Sequence, residues 1–281
     1  MDKILLALNS HQLNTVTIDF ACYLAHLTKS KLTALFLKDE GFEFSSPANL
    51  RRSYKENVGA AIIEQKDIFM EVDKGIQFFI EACERRGVKA DVLIRGEVYG
   101  DTRTPAKEVI GESRFADLLI LDPETSFKKN PEALPTDFVK EVTSSSECPV
   151  IIAPLVFDGV DEIIFCYDGG RSSVFAMKQF TYLFPEGVQK KIVVIEVNKL
   201  ENGIEQKEKI SSWLKLHYKK IDFIEMQGEP GEELFKYLLM KKNLFVVMGA
   251  YGRTNISNFF KRSSANLLMR VIDVPLFVSH H

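Results

Sequence analysis

LFVVMGAYGRTNISNFFKRSSANLLMRVIDVPLFV, residues 244–278, is the stretch that decides the fold. It opens with an uninterrupted apolar run over 244–248 and closes with Pro275-Leu276-Phe277-Val278. Continuous apolar runs this short read as strands buried on both faces. Gly249 and Gly252 stand where the first run stops, and Ser263 and Ser264 precede Leu267, Leu268 and Val271 at helical spacing. Glycine lets a chain turn with positive φ or approach a ligand closely. A serine ahead of an apolar helical period is an N-cap, which places a helix start near Ser263. Strand, glycine loop, helix start and second strand thus follow one another. Exposed N–H groups at such a junction form an anion site.

The same design recurs outward from this stretch. KILLALNS (3–10) and EIIFCYDG (162–169) are each an apolar run ending in a polar turn. A helical pattern follows each one, at 15–27 and 173–183, and then a second strand, at 31–37 and 191–197. VLIRGE (92–97) and FIEMQGE (223–229) are strands closed by Gly-Glu, and fourth strands stand at 117–121 and 244–248. Both halves finish on a proline-led strand, at 149–152 and 275–278. Apolar strands alternating with helices predict an α/β chain with a parallel sheet covered on both faces. Ligands of such sheets bind at the carboxyl ends of the strands, where the strand order reverses. APLVFDGVD (153–161) breaks the pattern with Pro and Gly, so the predicted domains are 1–155 and 160–281.

The spacing Gly249-x2-Gly252-x9-Arg262-Ser263 resembles the G-x2-G-x9-G-[ST] nucleotide loop of the universal stress protein family, with Arg262 in place of the third glycine. The order of elements resembles that family's fold across nearly the whole chain. The resemblance implies two tandem doubly wound domains, each a five-stranded parallel sheet of order 3-2-1-4-5 flanked by helices. They would pack as an internal pseudo-dimer through their fifth strands, imitating the family's usual homodimer. It also implies an adenine nucleotide, ATP with Mg, in the second half. Asp168 would contact the adenosine part, the backbone of Val197 would hold the adenine, and Gly249, Gly252, Ser263 and Ser264 would cradle the phosphates. Read from the residues alone, Asp168-Gly169-Gly170 is equally a turn that caps the next helix. Arg262 either gives a phosphate bidentate hydrogen bonds or fills the space a glycine kept open. Arg253 and Lys261 add positive charge to the loop or are ordinary exposed residues.

The first half departs from this pattern. Asp122 stands where the second half has Gly249, Asn9 where it has Asp168, and no glycine follows Asp122 before Pro131. Asp122 and Glu124 would repel phosphate, so this half is predicted to lack the nucleotide site. It also carries an extension over 38–73, which reads as a flap over a site or as a long connector with an extended helix.

Composition excludes several classes. The chain has 281 residues, 46% hydrophobic and 27% charged, with a formal net charge of −3. That balance suits a globular protein and argues against nucleic acid or an anionic membrane as the main partner. The first apolar run is too short for a signal peptide, and no stretch approaches the roughly 20 residues of a membrane span, so a cytoplasmic setting is expected. Cys22, Cys83, Cys148 and Cys166 form no C-x-x-C pair, and His11, His26, His217, His280 and His281 show no metal-ligand spacing. No nucleophile or general base stands out, and Trp213 reads as a packing residue. The expected function is a stress-response or regulatory protein with at most one nucleotide site and an unknown protein partner. The alternative is a non-catalytic interaction protein that no longer binds nucleotide. An ATP hydrolase or phosphotransferase ranks below both, for want of a base or metal-ligand set. Whether the chain also forms a homodimer is open at this level.

Overall fold

The computed structural model describes residues 1–10, 12–37, 73–95, 104–128, 130–198, 206–249 and 273–279. Gly252, Arg253, Lys261, Arg262, Ser263 and Ser264, and nearly all of the 38–73 extension, lie outside them.

The apolar runs become the strands of one ten-stranded sheet. In chain order the elements are β1 (Lys3–Asn9), α1 (Thr15–Thr28), β2 (Lys31–Leu37), the helix over 73–85 that we number α2, and β3 (Ala90–Arg95). Then come α3 (Pro105–Ser113), β4 (Leu118–Leu121), α4 (Asp137–Ser145) and β5 (Val150–Ile152). After the connector stand β6 (Glu162–Tyr167), α5 (Arg171–Leu183), β7 (Lys191–Asn198), α6 (Lys207–Leu214) and β8 (Lys220–Gln227). The described chain ends with α7 (Pro230–Leu239), β9 (Leu244–Gly249) and β10 (Leu276–Ser279). The sheet order is β3-β2-β1-β4-β5-β10-β9-β6-β7-β8, parallel except between β5 and β10.

That antiparallel step is centred on Ile151 opposite Phe277, with Leu276–Ile152 and Val278–Val150 on either side. Both central side chains are fully buried. Neither proline-led strand is therefore left as a bare edge, which would invite association with another chain. The connector also packs back on the first half: the Phe157 ring lies 4.9 Å from that of Phe20 and 5.0 Å from that of Tyr23, both on α1.

Alternation along each strand divides the core into two layers. Ile4, Leu6 and Leu8 face α1, α2, α5 and α6, through Ile18, Phe79, Met177 and Leu214 among others. Leu5 and Ala7 face α3, α4 and α7, through Val109, Val139 and Leu234. The strands of the first half all run toward one edge of the sheet and those of the second half toward the opposite edge, so the turns after β1 and β4 gather at one edge and the turns after β6, β7 and β9 at the other.

Candidate functional site

Strand register fixes which residues correspond in the two halves. Lys3 is level with Lys31 and Glu162 with Lys191, so Leu37 of the first half corresponds to Val197 of the second. Ile4 pairs with Leu118 and Ile163 with Phe245, so Asp122, directly after β4, corresponds to Gly249. Asn9 and Ser10 correspond in the same way to Asp168 and Gly169.

In the first half these positions are joined to one another. The Asn9 side-chain amide donates to the Ser126 carbonyl at 2.8 Å. The Ser10 backbone N–H and hydroxyl both donate to the Leu37 carbonyl, at 3.0 and 2.8 Å. Asp122 is buried and accepts from the Thr17 hydroxyl at 3.1 Å and the Glu124 N–H at 2.8 Å. Asn14, which caps α1 by accepting from Val16 and Thr17, is a further partner of this carboxylate. Burial outweighs these bonds and raises the Asp122 carboxyl above the ordinary aspartate range. Glu124 is raised too, by burial and then by the Asp122 charge.

Among the described residues the second half carries none of these side-chain bonds at the same positions. Asp168 follows β6 directly, and its carboxylate accepts from the Gly170 N–H at 2.9 Å, a tight turn completed by Gly169 at φ 77°. The turn reading of Asp168 is thereby met, although the residue at the start of α5 is Gly170, which supplies no side-chain cap. Gly169 places no hydroxyl opposite Val197, where Ser10 occupies the Leu37 carbonyl. Val197 lies one residue before the end of β7 and packs against the core layer on the α7 side.

Gly249 ends β9, but its role differs from the sequence expectation of a turning residue. Its φ lies outside the left-handed range. A Cβ built there would stand 2.3 Å from the Ser172 carbonyl carbon, 2.5 Å from the Ser172 oxygen and 2.6 Å from the Ser173 nitrogen. Glycine is demanded by the backbone at the start of α5, not by a turn. Sequence reading missed Ser172 and Ser173 as partners of Gly249. Their small size, read against the glycine, was the available signal. Asp168, Val197 and Gly249 thus share the carboxyl edge of neighbouring strands, while Gly252, Arg262, Ser263 and Ser264 fall outside the described residues.

No family model matches the chain, and no curated protein does. Solved structures do. A universal stress protein from Archaeoglobus fulgidus DSM 4304 is similar over 99% of this chain and 98% of its own, with a TM-score of 0.65 at 16% identity. The fold is that of a universal stress protein. A functionally unknown protein from Pseudomonas aeruginosa PAO1 matches 99% of this chain and 92% of its own, with a TM-score of 0.53 at 13% identity. At these identities the likeness speaks for the universal stress protein fold and leaves the chemistry of the crevice to its own residues. Among the described residues no helix is long and apolar enough to cross a membrane, and no group of three or more His, Cys, Asp or Glu could hold a metal ion.

Proposed function

We propose that the chain is a tandem universal stress protein, with domains at 1–155 and 160–281 packed as an internal pseudo-dimer, that binds adenine nucleotide in the second domain and acts as a regulator. One observation carries the reading. At register-equivalent positions the first half holds Asn9, Ser10 and a buried Asp122, bonded across the crevice, while the second holds Asp168, Gly169 and Gly249. A buried carboxylate excludes an anion, whereas the second half has no carboxylate at the Gly249 position, and the exposed Asp168, with one oxygen held by the Gly170 N–H, keeps acceptor capacity for a ribose hydroxyl. The residues described therefore fit the sugar end of ATP. Gly252, Ser263 and Ser264 would hold its phosphates, with Arg262 beside them, and Mg would neutralise phosphate charge there. Four free cysteines suit a reducing, cytoplasmic setting.

The interaction-protein reading has its own support: Gly249 is explained by its contact with α5 and needs no ligand. Native mass spectrometry of freshly purified protein, followed by calorimetric titration of Mg-ATP, separates the two. The nucleotide reading expects co-purified AMP or ATP, and binding weakened by about tenfold or more in Asp168→Ala, through loss of a hydrogen bond to a charged group. An empty protein that takes up no Mg-ATP at millimolar concentration would leave the interaction protein standing.

A further inference from the structure

α5 presents two stripes. Ser172, Ser173, Ala176, Met177 and Phe180 are buried and face the sheet. Arg171, Val174, Phe175 and Lys178, spaced i, i+3, i+4 and i+7, form a second stripe on the helix flank. It borders an open pocket of about 310 Å³ whose lining also includes Gln206, ahead of α6, and Tyr167, at the end of β6. Gly169 and Gly170, in the turn that follows Asp168, also line it, so it adjoins the crevice, but Asp168, Val197 and Gly249 do not.

The lining has a consistent chemistry. Tyr167, Phe175 and Val174 supply apolar and aromatic surface. Arg171 and Lys178 are exposed at the rim, and no carboxylate among the described residues pairs with either, in contrast to Lys191, Lys236 and Lys241 of the same half. Among the described residues no acidic side chain lines the pocket. The dipole of the thirteen-residue helix α5 adds to the positive field at its uncapped start. A bare inorganic anion would satisfy the cations and leave the apolar floor in water. A neutral apolar molecule would cover the floor and leave the cations unused. The volume lies at the lower end of the range for small-molecule sites.

We propose that this pocket is a second ligand site, adjoining the nucleotide crevice at Gly169 but distinct from it, for a small organic anion with an aromatic or apolar body, whose acidic group is held by Arg171 and Lys178. The body lies against Phe175 and Tyr167, and the guanidinium offers the acidic group a bidentate contact. The first half cannot form the same site at this point. Ser10 is tied to Leu37 there, and the turn into α1 is longer, running to the cap residue Asn14.

The probe is 8-anilinonaphthalene-1-sulfonate, an aromatic anion whose fluorescence reports binding, with uncharged N-phenyl-1-naphthylamine as its counterpart. The full chain is expected to bind the sulfonate saturably at one site. The double variant Arg171→Ala/Lys178→Ala, which changes only exposed side chains, should weaken it about tenfold or more and change the neutral probe less than about twofold. Val174→Trp, reaching from an exposed position into the pocket, should weaken both probes. No saturable sulfonate binding, or equal affinity for wild type and the double variant, would overturn the site. Displacement of the sulfonate by saturating Mg-ATP would overturn its separateness, because the probe would then lie in the nucleotide crevice. Loss of ATP binding in Asp168→Ala with sulfonate binding kept would support two independent sites.

Discussion

The two carboxyl-edge crevices are built on equivalent strands and solve the same problem in opposite ways. Where β1, β2 and β4 end, side chains close the gap: Asn9 reaches Ser126, Ser10 takes the Leu37 carbonyl, and Asp122 sits under Thr17. Where β6, β7 and β9 end, the gap is managed by removing side chains, with Gly249 against the backbone of Ser172 and Gly169 turning the chain away. The same scaffold can therefore be kept in both halves while side-chain bonds close the crevice of only one. The first half gains internal hydrogen bonds, and the second gains close packing of β9 against α5.

The comparison is sharpest at the joint, where the centre of the antiparallel step is Ile151 on one side and Phe277 on the other. Phe277 does more than pair. Its ring lies 5.4 Å from that of Phe180 and 6.4 Å from that of Phe184, so it ties β10 to α5. Phe277→Ala should cost about 4 kcal/mol in urea unfolding, the transfer and cavity cost plus lost aromatic pairing. Ile151→Ala, at the equivalent position without ring partners, should cost about 1 kcal/mol less. Equal costs would show that the joint responds only to its centre and not to the aromatic layer of the second half.

Next in size is the glycine itself. Gly249→Ala forces a Cβ into the backbone of Ser172 and Ser173, and backbone cannot swing aside as a flexible side chain can. A loss of about 3 kcal/mol is expected, the upper end of ordinary overpacking. Gly111 in α3 is the control, because nothing lies within 4 Å of a Cβ added there. Gly111→Ala should stabilise by about 0.5–1 kcal/mol through helix propensity. If Gly249→Ala unfolds at the wild-type urea concentration, the close contact with α5 is not what the glycine is for, and a ligand role gains weight.

The sequence made much of the scaffold legible. Continuous apolar runs marked the strands, since parallel strands buried on two faces leave no alternation to confuse with a helix. The sequence repeat also sets Asp122 against Gly249, and strand register places them at equivalent points. The reason for Gly249 was not legible, because it lies in a contact with Ser172 and Ser173 from a different element, and the expectation of a positive φ was wrong. Nor was the bond between Asp122 and Thr17, which joins residues 105 apart in the chain. The pocket beside α5 was hidden for the same reason: the spacing of Arg171 and Lys178 is visible in sequence, but Gln206 joins the lining from a different part of the chain. Local pattern carries elements, while crevices depend on which elements meet.

The smallest expected effect tests the closed crevice through its charge. Asp122 is buried, and burial raises its carboxyl above the ordinary range despite the bonds from Glu124, Thr17 and Asn14. A carboxyl raised on folding holds its proton more tightly in the folded state. Its stabilising contribution is full below the unfolded pKa and is lost as pH rises through the folded one. Asp122→Asn removes that titration while keeping the shape: the amide oxygen can accept from the Glu124 N–H, and the amide nitrogen can donate to the Thr17 hydroxyl. It also relieves Glu124, whose carboxyl is raised partly by the Asp122 charge. The variant should therefore differ from wild type by about 1 kcal/mol or less at neutral pH, the scale of one hydrogen bond exchanged for another. Relative to wild type it should gain stability as pH rises from 4 to 7, an interval that contains the approach to the raised pKa from the ordinary aspartate value of about 3.9. Urea midpoints for both proteins across that interval measure the difference directly. A gap that stays constant, or that moves against Asp122→Asn as pH rises, would mean that the carboxylate is well solvated or well paired, and that the first crevice is less closed than its hydrogen bonds indicate.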